Sequence, residues 1–137
     1  VVGDGGDKQY LIQEIKKNHL ENSIKLVGLS NNVAKYYQNA SVLLVTSRYE
    51  GFGLVITEAL AHGVPVVAFN AYGPDEIIRN CKEGFLVTQD HIDEYADKVI
   101  SLLSDIELRN SMSKNARERA LDFSLDTIMK QFIKVLE

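Results

Sequence analysis

Five short apolar runs at residues 1–2, 24–28, 42–47, 64–69 and 84–88 constrain the fold most. They are built from Val, Ile, Leu and Phe without polar alternation. A run of this kind suits a strand covered on both faces. The segments between them, about 8–18, 32–38, 54–61 and 75–80, carry helical patterns. Repeated strand-then-helix units predict a parallel sheet with right-handed crossovers. Five strands are too few for an eight-stranded barrel, so the expectation is an open, doubly wound α/β sheet.

The strands stop after Thr88. Asp90 is placed to cap a helix over 91–104, with Ile92, Tyr95, Ala96, Val99, Leu102 and Leu103 on one face. A second helix is expected over 106–121. A third starts near Ser124 and sets Leu125, Ile128, Met129, Phe132, Ile133 and Leu136 in one stripe, which must dock on something. With 137 residues and 45% apolar content the chain reads as one domain spanning 1–137, without a linker or repeat. A net charge of −4 argues against a nucleic-acid partner, which requires a basic face. Cys81 is the one cysteine, and no apolar run approaches the ~20 residues of a spanning helix, so a cytoplasmic setting is the default. The opening "VVGDGG" runs straight into a turn without an initiator methionine, which reads as a piece of something longer.

Ligands of open α/β sheets bind at the carboxyl ends of the strands. There the stretch "SRYEGFGLVITEALAHGVPVVAF" leaves the third strand of the pattern and turns through Gly51 and Gly53 into a helix near Leu54. Glycines permit unusual dihedrals and close backbone approach, and free N–H groups at a helix start favour phosphate. Glu50 precedes that start and Glu58 lies one turn beyond it. Carboxylates accept the hydrogen bonds that sugar hydroxyls donate. A diphosphate with hydroxyls on both sides is a nucleotide sugar.

At this point "EGFGLVITE" resembles the E-x7-E motif of retaining GT-B glycosyltransferases. The chain is similar, nearly end to end, to the C-terminal Rossmann-like donor domain of their group 1 (family 4) branch. The similarity also runs through "VVGDGGDKQYL", "IKLVGLSNNVAKYYQNASVLLVTS", "EALAHGVPVVAFNAYGPDEII", "EGFLV" and "ARERALDFSLDTIMKQF". Leu125 departs from it, standing where an aromatic residue is common. The resemblance implies a nucleotide-sugar donor, with UDP-sugar leading, no cofactor and no metal. It implies that the domain's first strand and helix, with an Arg and a Lys that grip the diphosphate, lie outside this chain. So would the N-terminal domain that recognises the acceptor, whether glycan, lipid-linked or small molecule. Glu50 would bind donor-sugar hydroxyls near the reacting carbon as the catalytic residue. Gly51, Phe52, Gly53, Leu54 and Val55 would meet the sugar and phosphates, and Glu58 the ribose. Gly3 and Gly5 would line the donor site, and Leu29 and Val33 the base.

Blander readings stand beside these. "GDGGD" at 3–7 lacks a clean G-x-G-x-x-G, so an ordinary glycine loop is favoured over a dinucleotide site of an oxidoreductase. A non-catalytic module with a donor-type fold is the other rival. His62 reads as a helix terminator, and Asp75 and Glu76 as caps, with the 72–76 loop a further candidate donor contact. Arg109, Lys114, Arg117 and Arg119 read as a solvated face, with an acidic membrane surface, the inner face of the membrane, as the sharper alternative.

Overall fold

A computed structural model describes residues 1–136. The chain divides into two compact units, Val1–Tyr36 and Tyr37–Glu137. In the first, helix α1 (Lys8–Lys17) follows the glycine loop, and no residue of it is buried. The expected strands 1–2 and 24–28 are reduced to bridges between Val2, Gly3 and Gly28. Val27 N–H donates to the Val1 carbonyl at 2.9 Å and Gly3 N–H to Gly28 at 2.8 Å. Two short segments with no third strand beside them among the described residues make too small an apolar face for a ladder. That corrects two of the five strand assignments. Helix α2 (Ala34–Gln38) carries the chain from one unit to the next and is shorter than the expected 32–38.

The second unit holds a parallel sheet of β1 (Leu43–Val45), β2 (Val66–Phe69) and β3 (Gly84–Val87), in that spatial order. Helix α3 (Leu54–Ala61) connects β1 to β2, and the short α4 (Pro74–Ile77) connects β2 to β3. Strand β2 is central and buried at every position, and its side chains sort by the two-residue period of a strand. Val66 and Ala68 join Ile56, Leu60, Ile77 and Ala116 on one side. Val67 and Phe69 join Phe85, Tyr95, Leu102 and Met112 on the other. Both faces are therefore covered, as the apolar runs demand. A Cβ on Gly84 would run into the Val66 backbone, so only glycine lets β3 open against β2.

Helices α5 (Ile92–Ser104), α6 (Ile106–Ala120) and α7 (Leu125–Leu136) follow, with a 3₁₀ turn at Leu121–Phe123 before α7. Asp90 does not cap α5. Its backbone is left-handed at φ 66°, His91 takes the cap position, and the Asp90 carboxylate turns to Arg48 instead. Asp75 and Glu76 sit in the first turn of α4 behind Pro74 and make no cap bond, because proline fixes the start and leaves that helix four residues long. The basic helix is solvated in part: Lys114 and Arg117 are exposed, whereas Arg109 and Arg119 are partly buried against backbone carbonyls. Arg109 donates to the Leu102 and Leu103 carbonyls, Arg119 to Glu76 and Ile77, and Arg117 reaches the His62 carbonyl at 3.5 Å. These arginines meet the orphan carbonyls of three helix ends, which carry partial negative charge. Nothing is buried on α7, and its apolar stripe from Leu125 to Leu136 is exposed. No helix of the described residues is long and apolar enough to cross a membrane.

Candidate functional site

The loop after β1 and the start of α3 assemble the centre of the expected site. Gly53 is the cap residue of α3, left-handed at φ 91° and buried, and a Cβ there would come within 3.0 Å of the Ile56 side chain. Glycine brings no side-chain acceptor, so the first turn of α3 keeps its orphan donors. The N–H groups of residues 51–55 enter no hydrogen bond with other described residues. Ile56 and Thr57 are the first to bond back, both to the Gly53 carbonyl. Five consecutive amide donors at a helix N-terminus form a surface for an anion.

The loop is held from behind. The carbonyls of Glu50, Gly51 and Phe52 back onto Gly73, where a Cβ would meet them at 2.9, 3.2 and 3.3 Å. Since C=O and N–H of a trans peptide point in opposite directions, the N–H groups of 51–53 face away from Gly73. Arg48 pairs with Asp90 at 2.9 Å, a strap from the β1 loop to the loop after β3. Both partners are largely exposed, so the strap steers the loop more than it stabilises it. Phe52 packs edge-on against Phe123 at 5.9 Å.

Glu50 is half-buried in this loop, and Glu58 is exposed on the fifth residue of α3. Tyr37, 8% exposed, places its hydroxyl 2.9 Å from Glu58 Oε2 and 3.3 Å from the Val55 carbonyl. Burial, and then the neighbouring carboxylate, push the Tyr37 phenol well above its ordinary value. His62 closes α3, its Nδ1–H donating to the Glu58 carbonyl at 2.8 Å and its ring stacked 5.3 Å from that of Tyr37. It is a helix terminator, as its place before Gly63 suggests.

Glu50, Gly51, Phe52, Gly53, Leu54, Val55 and Glu58 are thus brought together in the second unit. Gly3, Gly5, Leu29 and Val33 belong to the first. Leu29 is strongly exposed there. In the glycine loop the Asp4 carboxylate accepts from Gly5 N–H and pairs with Lys8 at 2.9 Å, so an internal anion already occupies that turn. Lys8, by that bond, holds the Asp4 carboxyl below its usual range. This disfavours the dinucleotide reading. Tyr37 is the residue that sequence reasoning missed, and Gly73, inside the 72–76 loop it offered as a donor contact, supports the 50–52 backbone instead. Gly-Pro before a helix signals a fixed turn, whereas nothing in "KYYQ" tells which tyrosine turns inward.

The family profile of glycosyl transferases group 1 matches residues 1–119. The chain belongs to the group 1 glycosyltransferases. This group 1 chain is 33% identical over 137 residues to the amylovoran biosynthesis glycosyltransferase AmsD of Erwinia amylovora, covering 99% of the chain and 38% of that protein. It is 34% identical to the N-acetyl-α-D-glucosaminyl L-malate synthase of Bacillus anthracis, over 96% of the chain and 35% of that protein. Among solved structures it matches HepE of Anabaena in complex with UDP, with TM-score 0.90 and 32% identity over 98% of the chain and 39% of the other. TarM of Staphylococcus aureus, in a mutant form bound to fondaparinux, α-GlcNAc-glycerol and UDP, matches with TM-score 0.91 and 30% identity, over 97% of the chain and 27% of the other. The chain therefore spans about two fifths or less of the length of these two curated relatives. Its α/β parallel-sheet architecture is that of a GT-B C-terminal domain.

Proposed function

We propose that residues 1–137 are the donor-binding domain of a retaining glycosyltransferase that takes its sugar from a nucleotide sugar, with a UDP-sugar as the best-supported donor. The row of open N–H groups at residues 51–55, flanked by Glu50 and Glu58, carries this reading. The UDP-bound relatives of similar fold support it. In this reading the diphosphate lies at the N-terminus of α3, where amide donors and the helix dipole offset its charge without a metal. Glu58 accepts from the ribose hydroxyls. Glu50 accepts from hydroxyls of the donor sugar beside the carbon that reacts. The leaving diphosphate helps deprotonate the acceptor on the same face, which gives retention. Glu50 and Glu58 are not an acid–nucleophile pair, because such a pair must flank a single scissile bond. The acceptor is recognised by a domain outside these residues, at a cytoplasmic site that includes the inner membrane face for a lipid-linked acceptor.

Glu58→Ala in the full-length protein tests the reading. Charge-assisted hydrogen bonds contribute about 1.5–3 kcal/mol each, so UDP affinity measured by calorimetry should fall about ten- to a hundredfold. Unchanged affinity would remove Glu58 from the site. Thermal-shift screening of the chain against UDP, GDP, ADP and NAD separates this reading from a dinucleotide-binding one, which would respond to NAD.

A further inference from the structure

We propose that Tyr37 is a positioning residue for nucleotide recognition: its hydroxyl fixes the Glu58 carboxylate, so that one oxygen is committed to the protein and the other is presented to the ribose. The inference rests on the ribose role given to Glu58 above. Glu58 stands on an exposed face of α3, where a free glutamate side chain samples many rotamers. Tyr37 removes that freedom from one side. Its single proton has two acceptors within reach, the Glu58 carboxylate at 2.9 Å and the Val55 carbonyl at 3.3 Å. The nearer, charged acceptor makes the stronger bond. The tyrosine is itself well fixed. It belongs to the apolar cluster with Ile56, Leu60 and Ala116, and the His62 ring, anchored on the Glu58 carbonyl, stacks against it. Donor, carboxylate and stacking ring therefore all meet the same turn of α3. Glu58 Oε1 takes no hydrogen bond from another described residue. A vicinal diol such as ribose offers donors suited to that oxygen.

The test is a double-mutant cycle in the full-length protein, read by calorimetry with two probes, UDP and its 2′,3′-dideoxy analogue. The quantity is the ratio of the two dissociation constants, which reports the hydroxyl contacts alone. Both probes sample the same folded fraction, so a loss of stability cancels from the ratio. Glu58→Ala should bring the ratio close to one. Tyr37→Phe should lower the wild-type ratio about three- to tenfold, and Tyr37→Leu, which changes shape as well, should lower it equally. In the Glu58→Ala background neither Tyr37 variant should change it further. A wild-type ratio in Tyr37→Phe beside a collapsed ratio in Glu58→Ala would overturn the role of Tyr37 while sparing that of Glu58. A wild-type ratio in Glu58→Ala would overturn the parent reading, and the positioning role with it.

Discussion

Gly73→Ala probes whether the candidate site depends on support from behind. Gly73 has φ 99° and ψ −68°, a conformation that costs an L-residue about 1–3 kcal/mol. A methyl there would also stand 2.9 Å from the Glu50 carbonyl oxygen, with Gly51 and Phe52 close behind. Restoring ordinary van der Waals separation, about 3.4 Å, moves the loop by about half an ångström. The obstacle is backbone on both sides, so no side chain can swing away to relieve it. The shift carries Glu50 and the N–H groups of 51–53 with it, whereas Glu58 is one turn along α3 and gripped by Tyr37. Since a misplacement of about 1 Å can cost about a hundredfold in rate, half of that should cost on the order of tenfold. Expected in the full-length protein are a lower melting temperature, kcat reduced roughly tenfold, and UDP affinity reduced less than kcat. A folded variant with kcat within about twofold of wild type would refute the argument that Gly73 sets the loop.

Glu50→Gln should leave UDP affinity within about twofold and cut turnover by about a hundredfold or more, because it keeps the shape but removes charge facing a cationic transition state. Normal turnover in steady-state assays would place Glu50 outside the reacting shell. The 137-residue chain alone should transfer no sugar from a radiolabelled donor to a mixed acceptor pool, and transfer above a Glu50→Gln control would show that it needs no further domain. Alkaline titration offers an independent check. Burial pushes Tyr95 up to about 12 and Tyr37 higher still, so folding favours their protonated forms. Stability from these two phenols is complete below pH ~10, the unfolded value, and is lost as pH rises above it through the folded values. Absorbance near 295 nm should show two of the six tyrosines ionising only with unfolding; six phenols titrating together near pH 10 would contradict their burial.

Periodicity made the sheet legible where burial is two-sided. The runs at 42–47, 64–69 and 84–88 became β1, β2 and β3, shortened by three, two and one residues. The runs at 1–2 and 24–28 look the same in sequence but find no third strand among the described residues, and pairing needs partners that a local pattern does not encode. Within the site, Gly53 was readable because a glycine at a strand-to-helix turn has a local reason, its left-handed backbone. Tyr37 was not, and the 72–76 loop was legible as a candidate donor contact but not as the support Gly73 gives to residues 50–52, since each acts on residues about twenty positions away. Arg119 of α6 reads as solvated for the same cause. A basic residue at helical spacing looks solvated until the carbonyl it meets, over forty residues back for Arg119, is brought to it.

Those arginines make α6 a clasp. One helix closes the open ends of α4 and α5 through Arg119 and Arg109, touches that of α3 through Arg117, and ties the turn before β3 through Asn115 and the Lys82 carbonyl. If α6 peels away, four pieces of backbone lose their partners in a single event. The helix then cannot fray gradually, as α7, with no buried residue, can. Its amide hydrogens should exchange together with those of β2, at the rate of whole-unit opening, while α7 exchanges well before them. Lysine cannot replace this, because a single ammonium lacks the planar fork with which Arg119 reaches two carbonyls at once. The walls around Glu50 therefore stand or fall with a helix that bonds to helix ends and a turn beneath them.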